Sequence, residues 1–285
     1  MILDRPLIRS QELLTQEVPP LVWDVEPLIS RGDRVVFFGE FASFKSWILL
    51  HLAWHLATGA QWLNTFQIHE PRRVLYVDEE MNERTLRRRG KRLAMGAGVE
   101  GSPPVAFLSR AGVRFDGLGA GQLLAYLREQ KFQPDVVFVE ALRRVLIGNE
   151  NEAHNMAQFW RNLEPISRLG ITVAISHHMT KPPQQGTRSI RYRASGSTDI
   201  LAGSDASFAV ERVSEDTARI TGIKARDDVE LKPFLVRLWD GGNRQGPVTL
   251  SPVQPGSRVP NRLLTLEESR DVFRRSMTPQ AVQPA

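Results

Sequence analysis

Arg34-Val-Val-Phe-Phe38 is an apolar run rich in β-formers that stops at Gly39, and Lys45-Ser46 then opens a stretch free of Gly and Pro that reaches Ala57. A buried strand, a glycine-led turn and a buried helix capped at Thr58-Gly59 are therefore expected in immediate succession. Strand, Gly, five residues, Lys-Ser, helix is the context of a phosphate-binding loop, whose N–H groups point at phosphate oxygens. Gly39, Glu40, Phe41, Ala42, Ser43, Phe44, Lys45, Ser46 and Trp47 make up this candidate nucleotide site. Lys45 would neutralise the β- and γ-phosphates and Ser46 would ligate Mg2+. One position departs from the usual pattern: Phe44 stands where glycine commonly precedes the lysine. If that slot needs a positive φ, the bulky side chain costs on the order of 1–2 kcal/mol.

The rest of the chain repeats the alternation. Strands are expected at Arg73–Val77, Val105–Leu108, Asp135–Val139 and Ile171–Ile175, with helices at 82–95, 119–130 and 152–168 between them. This order predicts an α/β fold, a mostly parallel sheet flanked by helices. Residues 207–213, 217–224 and 233–239 read as shorter antiparallel strands at the C-terminal edge. Residues 1–30, with Pro19, Pro20 and Pro27, read as an irregular lead-in to a core at 31–246. Residues 247–285 read as a Pro/Gly-rich tail with one helix at 265–275 and a disordered end.

Three strand ends carry polar groups. Asp78-Glu79-Glu80 follows the second strand, which is expected beside the P-loop strand, where a carboxylate can polarise an attacking water. A solvated acidic turn is the other use of such a run. Pro134-Asp-Val-Val-Phe-Val-Glu140 has the form of a Walker B strand, with Glu140 in place of the usual Asp as the Mg2+ partner. Ser176-His177-His178 ends the next strand, where a polar group can sense a γ-phosphate. Lys224 and Arg226 alternate onto one face of a late strand, suited either to phosphate or to guarding an exposed edge. His51 and His55 lie four apart on the first helix with no third ligand, and read as structural.

Composition narrows the classes. Without any cysteine, disulfide frameworks and thiolate metal sites are excluded. No apolar run reaches the length of a membrane span, and Met1-Ile-Leu-Asp-Arg-Pro lacks the pattern of a signal peptide, so a cytoplasmic protein without membrane contact is expected. The net charge of +5 is mild, but residues 181–193 carry four cations and no acid, and residues 84–92 carry six. Polyanion binding is thereby a local expectation.

Gly39–Ser46, Val74–Glu80, Glu140-Ala-Leu-Arg-Arg144 with Asn149-Glu-Asn151, Ser176-His-His-Met-Thr-Lys181, Arg193-Ala-Ser-Gly-Ser-Thr198 and Lys224-x-Arg226 occur in this order. In that set the chain, over roughly Leu21 to Asp240, resembles RecA-like P-loop ATPases related to the plasmid RepA-type hexameric replicative helicase, and more distantly DnaB-type helicases. The resemblance implies Glu80 as catalytic base with Glu79 as runner-up, and His177 as sensor. It implies that Lys224 and Arg226 reach a neighbouring subunit's nucleotide in a homo-oligomeric ring, with a hexamer favoured. It also implies that Arg143, Arg144, Lys181, Arg188, Arg191 and Arg193 track single-stranded DNA phosphates. An ATP- and Mg2+-dependent helicase is the leading expectation. A recombination mediator or helicase loader, and a nucleotide-binding switch with weak hydrolysis, are the alternatives.

Overall fold

The computed structural model describes residues 7–179, 190, 193–194, 198–226, 231–240 and 245–253. Helix α1 (Ser10–Thr15) precedes a hairpin of β1 (Trp23–Val25) and β2 (Ile29–Ser30). Then come β3 (Arg34–Gly39), α2 (Lys45–Thr58), β4 (Val74–Asp78), α3 (Glu83–Gly96), β5 (Val105–Ser109), α4 (Gly119–Glu129) and β6 (Val136–Glu140). The short α5 (Leu142–Val145) leads to α6 (Ala153–Ser167), β7 (Thr172–His178) and α7 (Asp199–Ala202). Strands β8 (Ala206–Arg212), β9 (Thr217–Ala225), β10 (Phe234–Trp239) and β11 (Thr249–Pro252) follow.

The main sheet has the order β11-β10-β9-β8-β3-β7-β6-β4-β5. Strands β8, β3, β7, β6, β4 and β5 are parallel, and β9, β10 and β11 add antiparallel at one side. The RecA-like architecture read from the sequence is the one observed. All six parallel strands therefore end at the same edge, the edge from which the P-loop leaves. Val35 and Phe37 pack beneath α2 and α3, while Val36 and Phe38 pack beneath α4, α5 and α6. Two covered faces explain why β3, β4, β6 and β7 read as unbroken apolar runs rather than as alternation.

Three placements differ from the sequence reading. β4 is not beside the P-loop strand, because β7 and β6 lie between it and β3. Residues 23–30 are not an irregular lead-in. Val25, Leu28 and Ile29 of the β1–β2 hairpin join the core, and buried Asp24 pairs with Arg72 at 2.9 Å and accepts from Thr172 Oγ1 at 2.5 Å. The prolines mask the β-rich run Leu21-Val-Trp-Asp-Val25 between them. At the other end, β11 lies beyond the expected boundary at 246 and extends the sheet. The helix expected at 265–275 and the disordered end fall outside the described residues.

Candidate functional site

The P-loop runs from Gly39 at the end of β3 to Ser46 in the first turn of α2. A Cβ at Gly39 would meet Val210 O at 2.3 Å, so the loop's first turn lies directly on β8 and only glycine fits there. Phe44 has φ 71°, the left-handed region that the sequence argument anticipates. Its strain has an identifiable offset. The Arg212 guanidinium, from the end of β8, lies 4.1 Å from the Phe44 ring centroid and donates to Ala42 O at 3.2 Å. A partly desolvated cation–π contact is worth about 0.5–2 kcal/mol, the same size as the left-handed penalty. Burial lowers the Arg212 pKa to about 10, with Glu215 and Asp216 opposing.

Lys45 is buried, and its ammonium donates to Gly39 O and Glu40 O, both at 2.8 Å. Burial lowers its pKa to about 8, and Glu140, Glu80 and Glu40 hold it from falling further. Next to it, Ser46 Oγ donates to Glu140 Oε1 at 2.5 Å, and Tyr76 OH donates to Glu140 Oε2 at 2.5 Å. Burial raises the Glu140 carboxyl, while the Ser46 and Tyr76 hydrogen bonds lower it. Asp78 is raised to about 7 by burial and then by Glu140. No group of three His, Cys, Asp or Glu able to hold a metal occurs among the described residues. A hydroxyl and a carboxylate in direct contact beside a phosphate-binding loop suit Mg2+, which takes one or two protein oxygens and completes its shell with phosphate and water. The donor set fits MgATP, with Ser46 and Glu140 as the residues that would hold the ion.

Asp78 Oδ1 accepts from the Glu80 N–H at 2.8 Å and the Met81 N–H at 2.7 Å, an Asx turn that sends the two following acids apart. Glu79 turns away and accepts from Val113 N at 2.9 Å and Gly112 N at 3.2 Å. Glu80 turns toward the P-loop, 3.6 Å from His178 Nε2 and 3.8 Å from Arg144. His178 beside it, outweighing desolvation, holds the Glu80 carboxyl below its ordinary range, with Arg144 and Lys45 charge adding to it. Of the two histidines, it is His178 and not the expected His177 that the structure places beside Glu80. His177 is buried and follows Val173 and Ile175 onto the face covered by α6, while His178 alternates onto the face of Lys45 and Glu80. Sequence reasoning also misses Tyr76, two residues before Asp78 on the same face, and Arg89, whose guanidinium lies 4.9 Å from the Trp47 ring.

The remaining predicted cations have four different placements. Lys224 Nζ donates to the carbonyls of Leu201, Ala202 and Ser204 at 2.6–2.9 Å, and Arg226 pairs with Asp205 at 3.2 Å. Lys224 pairs across β9–β8 with Ser207, near the start of β8, whereas the P-loop leaves the far end of parallel β3. Ser207 is level with Val36 and Asp205 with Arg34, so at ~3.3 Å per residue the two cations start about 10–17 Å short of Gly39, and both side chains are engaged at that far end. Arg143 is half exposed on α5, 3.2 Å from Gly148 O. Lys181, Arg188 and Arg191 lie outside the described residues. Arg193 is not on an exposed DNA-facing surface: it is buried and paired with Glu40 and Glu211. Two carboxylates draw it inward, which a count of loop charges does not reveal. His51 and His55 face each other at 3.1 Å with Trp62 donating to His51, a packed pair as the sequence suggests.

A mostly parallel sheet with a P-loop and two carboxylates, Glu140 and Glu80, at one edge defines a P-loop NTPase of RecA-like fold. The chain belongs to the AAA_25 family, described as an AAA domain, whose model matches residues 5–184. No curated protein matches it. Among solved structures, it superposes with TM-score 0.56 on the ATPase domain of another protein, at 12% identity, covering 79% of this chain and 86% of that one. It superposes with TM-score 0.54, also at 12% identity, on a DnaB-like replicative helicase studied for its interactions with primase. That match covers 73% of this chain, which spans only 57% of the helicase's length. Among the described residues, no helix is long and apolar enough to cross a membrane.

Proposed function

We propose that this chain is an ATP-driven DNA helicase or translocase that acts on single-stranded DNA as a homo-oligomeric ring, a hexamer by preference, in plasmid- or phage-type replication. The observation that carries the reading is the convergence of Lys45, Ser46, Glu140 and Glu80 at the edge of a RecA-like sheet, with Lys224 and Arg226 held toward its opposite end. The first four supply a phosphate cradle, a Mg2+ seat and a base; the last two only find a phosphate on another subunit. Bound Mg2+ would neutralise the β- and γ-phosphates. Glu80, ionised at neutral pH, orients a water toward the γ-phosphate, and His178 keeps that carboxylate in place.

Turnover measured with and without single-stranded DNA tests this. Lys45→Ala, which removes the side-chain cation of the loop, should abolish ATP binding and both rates. Unaltered affinity in that variant would overturn the P-loop assignment. Stimulation by DNA separates a motor from a nucleotide switch, and strand displacement on a fork separates a helicase from a loader. Arg188→Ala combined with Arg191→Ala should weaken strand binding and DNA-stimulated turnover together, and wild-type affinity should fall steeply as salt rises. A binding curve indifferent to both changes would move the DNA site off residues 181–193.

A further inference from the structure

The chain that leaves β7 is tied to the P-loop at two points. Met179 N donates to Gly39 O at 3.0 Å, and Met179 itself forms an antiparallel bridge with Ala194. Beside that bridge the Arg193 guanidinium pairs with Glu211 at 3.1 Å through one nitrogen and with Glu40 through another. The Arg193 side chain is 5% exposed, Glu211 9% and Glu40 15%. Glu211 belongs to β8 and Glu40 is the first residue of the loop after Gly39. We propose that Arg193 is a positioning residue of the phosphate-binding loop: held between Glu40 and Glu211, it fixes the loop's first turn against β8 and sets the loop's affinity for a nucleoside triphosphate.

The inference rests on the nucleotide reading above and deepens it. Lys45 now donates to the carbonyls of Gly39 and Glu40. Its third donor serves Ser43 Oγ at 3.3 Å, so to meet a phosphate the ammonium must give up at least one of these bonds, and the turn is held by fewer of them. Two anchors remain at the same residues: Met179 N–H on Gly39 O, and Arg193 on the Glu40 carboxylate. A planar fork engages both carboxylates at once, which an ammonium does as a single point charge. Arg193 thus acts through the loop and touches no reacting atom.

The test uses the full chain, a fluorescent ATP analogue without DNA, steady-state turnover and thermal melting. Arg193→Lys should raise the analogue's Kd roughly 10- to 100-fold, the loss expected for a charge-assisted contact, and leave kcat at saturation little changed. Glu40→Gln should raise the Kd likewise, and in Kd the double variant should be no worse than Arg193→Lys alone, because both remove the Arg193–Glu40 contact. Should Arg193→Lys fail to fold, Glu40→Gln carries the same expectation, since Arg193 keeps Glu211. Additive losses, a fall in kcat with unchanged Kd, or melting that drops in step with affinity in every variant would overturn the proposal. Loss of single-strand affinity with ATP affinity intact would also overturn it and return Arg193 to the DNA. Nucleotide binding by the wild type that Lys45→Ala abolishes upholds the P-loop reading whatever Arg193 does. A wild type that binds no nucleotide overturns both.

Discussion

Arg226→Ala should bind ATP as the wild type does and hydrolyse it about 10³–10⁵-fold more slowly, the range an arginine supplied to phosphoryl transfer commands. Arg226 sits where β9 ends, paired with Asp205 and half exposed, at the end of β8 remote from the P-loop. Its reach excludes its own nucleotide, so a large effect requires a neighbour. Mixing makes the test sharp. Arg226→Ala subunits keep an intact P-loop, and Lys45→Ala subunits keep an intact arginine. Mixed assemblies should recover turnover that neither variant has alone, at interfaces that join the two intact halves. Absence of recovery in demonstrably mixed assemblies would count against action in trans, and a strictly monomeric enzyme with full turnover would end it.

Glu80→Gln is expected to retain ATP affinity while turnover falls about 10²–10⁴-fold, because shape is kept and basicity is lost. The neighbouring acid provides the control. Glu79 accepts from the backbone at Gly112 and Val113, away from Lys45, so Glu79→Gln should disturb only that turn. A larger kinetic loss at Glu79 than at Glu80 would reassign the base. His178→Gln offers a third comparison: the strongest contribution keeping the Glu80 carboxyl low is the neighbouring His178, so its removal should shift the acidic limb of kcat upward in pH. The sign follows from the group. A carboxylate that loses a stabilising donor takes up its proton at higher pH, and the ionised base is lost earlier as pH falls.

What is legible in the sequence is what depends on local order. The P-loop, the alternation of strand and helix and the late antiparallel strands follow from residues adjacent in the chain. Strand order does not, and so local reasoning sets β4 beside β3 when β7 and β6 intervene. Period-two alternation separates His177 from His178, but it does not say which face carries α2; only packing of Val173 and Ile175 against α6 settles that. Arg193 misleads for a related reason. Its partners, Glu40 and Glu211, come from the loop after β3 and from the end of β8, and composition near residue 193 contains no trace of them. The separation of Glu79 from Glu80 rests on Asp78, whose Asx turn is a short-range signal available in the sequence itself.

The two ends of the sheet also constrain how copies of the chain can meet. The parallel strands deliver Lys45, Glu140 and Glu80 to one edge, while antiparallel β9 carries Lys224 and Arg226 back to the other. A two-fold axis through either end would set like against like and leave acceptor and donor unmatched. Only a head-to-tail contact joins them, and such a contact has no built-in stopping point. The rotation per step decides whether the copies close into a ring or wind into a filament. If Arg226 acts on a neighbour's nucleotide as proposed, subunit number is a property of that angle rather than of the residues that perform the chemistry.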